Sequence, residues 1–160
     1  MTDTIRERIL TQIKTDFLKV QKGVDEHVLT WNTVVREAVI DSEQQAGNAL
    51  GITEGTETND DEIQTTRKTL EVFTEFWIRP MLGDENSIYA NDVLGDVIRT
   101  VRGNPTVIED GTDCQLAIDT VEVRNELDLE TDDLIGGVVV FNVVFRHDQD
   151  DPRKRGGVVP

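Results

Sequence analysis

The sequence predicts an α+β fold: a mostly antiparallel sheet of four to six strands packed with two amphipathic helices. Three observations lead there. Residues 66–80, TRKTLEVFTEFWIRP, alternate with a period of two, as a half-buried strand does. Residues 138–147, VVVFNVVFRH, are apolar on both alternating sets, which suits a strand inside a sheet. Two other stretches instead repeat their apolar residues every three to four positions, the helical spacing.

In chain order, Thr4 stands three residues before Glu7 in capping-box spacing, and Ile5, Ile9, Ile13, Phe17 and Val20 then form one apolar stripe. This predicts a helix over residues 4–22, with Gly23 as its stop signal. Trp31, Thr33, Val34 and Val35 are strand formers, so residues 28–40 are read as a strand. Ala49, Leu50 and Ile52 begin another, which is expected to dissolve at Gly55 into a long, mobile, acidic hairpin loop over residues 55–63, with Asp60 and Asp61 near its tip.

In the long strand after that loop, Leu70, Val72, Phe76 and Ile78 share one face, interrupted by Thr74. The opposite face carries Phe73 and Trp77 beside Glu71, Glu75 and Arg79, too charged for a private core and too aromatic for plain solvent. Two readings stand: the side chains of neighbouring strands cover that face in part, or another subunit completes its burial. Residues 81–92 read as a connector, and Val93, Leu94, Val97, Ile98 and Val101 as the second helix, ending near Gly103 and Pro105. Residues 115–124 alternate as a strand with a slip at Thr120. The strand opened by Gly136 and Gly137 is expected at the centre of the sheet. A single domain over residues 4–147 and a flexible tail over 148–160 follow; the tail holds the basic cluster Arg153, Lys154 and Arg155.

Composition narrows the function classes. Against 32 acidic residues stand 16 basic ones, a net charge of −16. Such a surface repels phosphate, which disfavours ordinary nucleic-acid binding. A Lys-poor, Asp-rich chain with long periodic apolar segments fits adaptation to concentrated salt better than disorder. Cys114 is the one cysteine, so no disulfide or cysteine-based metal site forms within a chain. His27 and His147 lack partners at ligand or triad spacing, and no phosphate-cradling glycine motif occurs. The clusters at Asp60 and Asp61, Asp132 and Asp133, and residues 148–151 do not follow a calcium-loop spacing. No catalytic residue, cofactor or metal is expected. No apolar run is long enough to span a bilayer, and no secretory signal is read at the N-terminus.

The order of elements, together with NALGITEGTE followed by RKTLEVFTEFWIRP, the helix ANDVLGDVIRTVRG and the closing GGVVVFNVVFRHDQDDP, resembles the tail terminator (tail completion) proteins of long-tailed phages over residues 4–152. The resemblance implies a small structural subunit, not an enzyme. Such a subunit forms a ring, usually of six, on the head-proximal end of a tail tube, stops tube growth and presents a surface to the neck of the capsid. It also implies partners: further copies of itself, the tail-tube protein and a neck or head-completion protein, with DNA passing through unbound and no membrane involved. The composition suits a virus of a halophilic archaeon. Residues expected at subunit or partner contacts are Phe73, Glu75, Trp77, Gly55, Asp60, Asp61, Arg153, Lys154 and Arg155. A neck adaptor or tail-tube subunit is the alternative of similar size, and a salt-adapted enzyme or ligand-binding protein the alternative of another class.

Overall fold

The computed structural model describes residues 4–37, 47–62, 65–79, 86–103, 106–109, 112–115, 117–122, 128–131, 134–148, 150–151 and 153. In chain order these form α1 (Ile5–Leu18), β1 (Thr33–Val35), β2 (Ala49–Glu62), β3 (Thr65–Ile78), α2 (Asn86–Gly103), β4 (Thr106–Glu109), β5 (Thr112–Gln115), β6 (Ala117–Glu122), β7 (Asp128–Thr131) and β8 (Leu134–Asp148). The fold is α+β. Strands β1-β2-β3-β8-β6 form one sheet, β7 also pairs with β8, and β4-β5 make a separate two-stranded piece. All pairings are antiparallel except β1 with β2.

β3 and β8 are the axis of the sheet. They run in unbroken antiparallel register from Thr65 opposite Asp148 to Ile78 opposite Ile135. Cross-strand partners share a face, so Leu70, Val72, Phe76 and Ile78 lie with Ile135, Val139, Phe141, Val143 and Phe145. Both helices pack on this inner face, and one cluster joins it to Ile9, Ile13 and Phe17 of α1 and Ala90, Val93 and Val97 of α2. Thr74, the polar interruption in the apolar set, is fully buried and donates its hydroxyl to the Val139 carbonyl at 2.8 Å. Its burial therefore leaves no unmet hydrogen bond.

The capping box is present in its first half: the Glu7 amide donates to Thr4 Oγ1 at 3.2 Å. α1 nevertheless ends at Leu18, sooner than residue 22, because the Lys19 amide closes the last turn on the Thr15 and Asp16 carbonyls and Val20 then drops into the core. Gly23, with φ of 83°, serves the following turn instead of the helix end. α2 starts at Asn86, inside the stretch read as a connector. The strand expected over 28–40 is three residues long where described, and residues 38–46 lie outside the described set.

The largest correction concerns the acidic loop. Gly55, Asp60 and Asp61 are not in a loop: β2 continues through them to Glu62, opposite Thr65. Between Glu54 and Glu57 the register slips, so that Gly55 and Thr56 together oppose Glu71 in a bulge. The ladder to β3 holds this half of β2, and its side chains stay largely in water, so no apolar alternation marks it in the sequence. The slip expected at Thr120 does occur, between Ile118 and Val121 in β6 against β8. Neither β4-β5 nor β7 was anticipated.

Two adjacent glycines of β8 make room for rings of β3. A Cβ on Gly137 would lie 2.3 Å from Phe76 Cζ, and one on Gly136 would lie 2.7 Å from the Trp77 ring. Phe76 is fully buried and stacks at a tilt on Trp31, 6.1 Å between centroids, and Trp31 meets Phe17 edge-on at 6.4 Å. Phe76 therefore has nowhere to move, whereas the half-buried Trp77 has solvent on one side. Gly137→Ala is expected to cost about 1–3 kcal/mol of overpacking strain, and Gly136→Ala distinctly less. Urea unfolding of the two variants checks the order; equal losses would contradict it.

Candidate interaction surfaces

The outer face of the sheet holds Phe73, Glu75, Trp77 and Gly55 of the residues singled out as contacts. Phe73 lies between Thr53 of β2 and Val140 of β8, and Trp77 between Ala49 and Gly136. The Phe73 ring also roofs Gly55, whose Cβ, if present, would come within 2.4 Å of it. Glu75 accepts from Trp77 Nε1 at 3.0 Å. Both rings and Glu75 are half-buried against the sheet itself, with Val138 and Asn142 half-buried beside them and Val140 and Val144 buried. The inner face is closed by helices; the outer one carries an apolar band edged by carboxylates.

Asp60 and Asp61 are exposed on the far half of β2, and Asp61 accepts from the Thr66 hydroxyl at 3.0 Å. They stand apart from Phe73 and Trp77, since the bulge at Gly55 separates the two groups along the strand. Arg153 is exposed, and its carbonyl accepts from Arg8 Nη2 at 2.6 Å, which ties the start of the tail to α1. Lys154 and Arg155 lie outside the described residues.

Two polar clusters escaped the sequence reading. On the inner face beyond the apolar core, Glu54 is paired with Arg6 of α1 and with Arg36, whose Nη2 lies 2.6 Å away, while Glu57 meets Arg6 and Lys68, each at 3.5 Å. Arg36 also reaches Glu7 at 3.2 Å. Burial pushes the Glu54 carboxyl up, but the hydrogen bond from Arg36 and the nearness of Arg6 outweigh it and hold the group below the usual carboxylate range. This network seals the seam between α1 and the sheet.

The second cluster centres on Asp96 of α2, whose side chain is buried. Its Oδ2 accepts from the Val28 amide at 3.2 Å, and its Oδ1 lies 2.9 Å from His27 Nδ1 and 2.8 Å from Arg99 Nη2. Asp96 clamps a turn in which Gly23, Asp25 and Glu26 all have positive φ. Asp16 lines the cleft of about 380 Å³ beside it, with Lys19, His27, Arg99 and Thr100. Burial pushes the Asp16 carboxyl up, against the Gln12 hydrogen bond and the Lys19 charge. Among the described residues no group of three His, Cys, Asp or Glu side chains converges to hold a metal ion, and no helix is long and apolar enough to cross a membrane.

No protein-family model and no curated protein matches this sequence. Among solved structures, the chain is similar to the sheath/tube terminator of an extracellular contractile injection system, PVC, in its extended state, seen by cryo-electron microscopy. The two share 14% identity with a TM-score of 0.41, over 100% of this chain and 63% of that one. This chain therefore spans less than two thirds of the length of the structure it matches.

The two perturbed carboxyls act on stability with opposite signs. A folded-state value raised above the ordinary 3.8 means that Asp16 destabilises the fold increasingly as pH rises through and beyond that value. Asp16→Asn, which keeps an acceptor for Gln12, should raise the melting temperature at neutral pH and lose its advantage below about pH 3.8. Glu54 is lowered from 4.5, so its contribution is present above that value and is lost as pH falls through the folded one. Glu54→Gln should therefore lower the melting temperature at neutral pH and not in acid. Melting curves from pH 3 to 7 test both; parallel curves for variant and wild type would contradict the assignment.

Proposed function

We propose that this chain is the subunit of a tail-terminator ring, which caps the head-proximal end of a tail tube, ends its polymerisation and joins the tail to the neck. The observation that carries the reading is the unequal treatment of the two sheet faces. Helices bury the inner face, and the outer face presents Phe73, Val138 and Trp77 half-buried beside Glu71 and Glu75. Large aromatics in such a band dominate the energetics of subunit contacts. The sequence resemblance of residues 4–152 to tail terminators supplies the kind of assembly. The net charge of −16 fits a wall past which DNA slides without binding, and a virus whose host lives in concentrated salt.

Under this reading, copies of the chain meet through the Phe73–Trp77 band, and one rim of the ring matches the end of the tube while the other matches the neck. The asymmetry of the rims stops growth after one layer. In the virus that encodes it, loss of the chain should leave filled heads separate from tails that are overlong or of variable length. Complementation with wild type should restore normal particles, and a Phe73→Ser, Trp77→Ser variant that keeps its circular dichroism spectrum should not. Tails of normal length beside heads that leak DNA would overturn the terminator role in favour of a neck adaptor.

A further inference from the structure

Beyond the Phe73–Trp77 band, the outer face carries a cation for which no partner stands among the described residues. β3 runs against β8 without a slip, so Arg67 lies on the same face as Phe73 and Trp77 and directly opposite Arg146. Two like charges facing each other across a ladder are destabilising. Arg146 interacts elsewhere in the chain. Arg67 makes no hydrogen bond or ion pair among the described residues, and its Nε is buried without an acceptor.

Asp60 of β2 flanks Arg67 on its other side, in register with it, yet Asp60 stays exposed and the two form no ion pair. A guanidinium donor taken out of water without an acceptor loses its hydration for nothing, so its position points to an acceptor supplied from outside the chain. The face between Arg67 and the aromatic band is continuous. It runs through Thr69 opposite Val144 and Glu71 opposite Asn142 to Phe73 opposite Val140. At about 3.3 Å per residue, Arg67 stands about 20 Å from Phe73 and about 33 Å from Trp77 along the strand.

Charge decides the chemistry of that acceptor. A second copy of this chain offers 32 acidic residues against 16 basic ones, and the planar fork of a guanidinium matches a carboxylate in two parallel hydrogen bonds. The same net charge of −16 keeps the phosphates of a nucleic acid at a distance. We propose that Arg67 anchors a carboxylate of a second copy of this chain and so extends the subunit contact beyond the Phe73–Trp77 band; in this it rests on the ring reading above. The aromatic band supplies the apolar area of the contact, and Arg67 fixes where along the face the neighbour sits. Repulsion between two acidic chains is spread over their surfaces, whereas this attraction is local, so it selects which surfaces meet.

Zero-length cross-linking tests this. Arg67→Lys keeps the charge and brings an amine that a carbodiimide joins to a carboxylate in direct contact with it. The variant is made in two isotopic forms, assembled together in molar salt, cross-linked and read by mass spectrometry. An amide bond from position 67 of one form to an Asp or Glu of the other is expected. In parallel, Arg67→Glu with an unchanged circular dichroism spectrum is expected to sediment as single chains where the wild type forms rings. Lys22→Glu, the same change of charge at an exposed site after α1, is expected to keep the rings. Rings in which position 67 links to no other copy, or which Arg67→Glu leaves intact, would overturn the anchor and leave the ring reading standing. Wild-type chains that stay single in molar salt would overturn both.

Discussion

The unbroken pairing of β3 with β8 is the constraint on which the rest of the structure depends. Because the register does not slip between Thr65 and Ile78, every second residue of both strands lands on the same side, and a single inner face of Val, Leu, Ile and Phe side chains results. Each fully buried side chain of this kind is worth about 1.5–3 kcal/mol relative to exposure. A slip of one residue would send the whole set to the other face. Gly136 and Gly137 protect the register from the opposite direction, since the rings of Trp77 and Phe76 occupy the space their side chains would need. Both helices then have one surface to cover, and among the described residues the other surface is covered by the sheet's own side chains.

Much of this was legible in the sequence because the signal was apolar and periodic. Leu70, Val72, Phe76 and Ile78 marked β3, and Val139, Phe141, Val143 and Phe145 marked β8 as central, while Thr4 and Glu7 marked the start of α1. What escaped was structure held by other forces. The far half of β2 is kept in the sheet by ladder hydrogen bonds, and its side chains are acidic and hydrated, so Gly55, Asp60 and Asp61 read as a loop. The Asp96 clamp joins residues far apart in the chain, and a lone aspartate on an amphipathic helix gives no sign that it will cap a turn around Val28. Arg6, Arg36, Glu54 and Glu57 form no motif in the sequence, although together they close the core where apolar residues end. For the candidate contacts, the alternation placed Phe73, Glu75 and Trp77 together on the outer face, as they are, and could not show that each ring rests over a glycine.

The molecule thus divides its work between two surfaces. On the helical side, apolar burial and paired charges hold the chain together, and Arg36 and Arg6 keep the Glu54 carboxyl below the usual carboxylate range. On the sheet side, the apolar band of Phe73, Trp77 and Val138 is half-buried, in a chain of net charge −16. Self-association must overcome that charge, and salt weakens the repulsion by shortening its range to about 3 Å at 1 M. Under the ring reading, that charge makes assembly dependent on salt.

Electron microscopy of the purified protein in molar salt, repeated after dialysis to about 0.1 M, is the most direct measurement of this account. It predicts closed rings in high salt that fall apart into single chains as screening is withdrawn. Single chains at every salt concentration would contradict it.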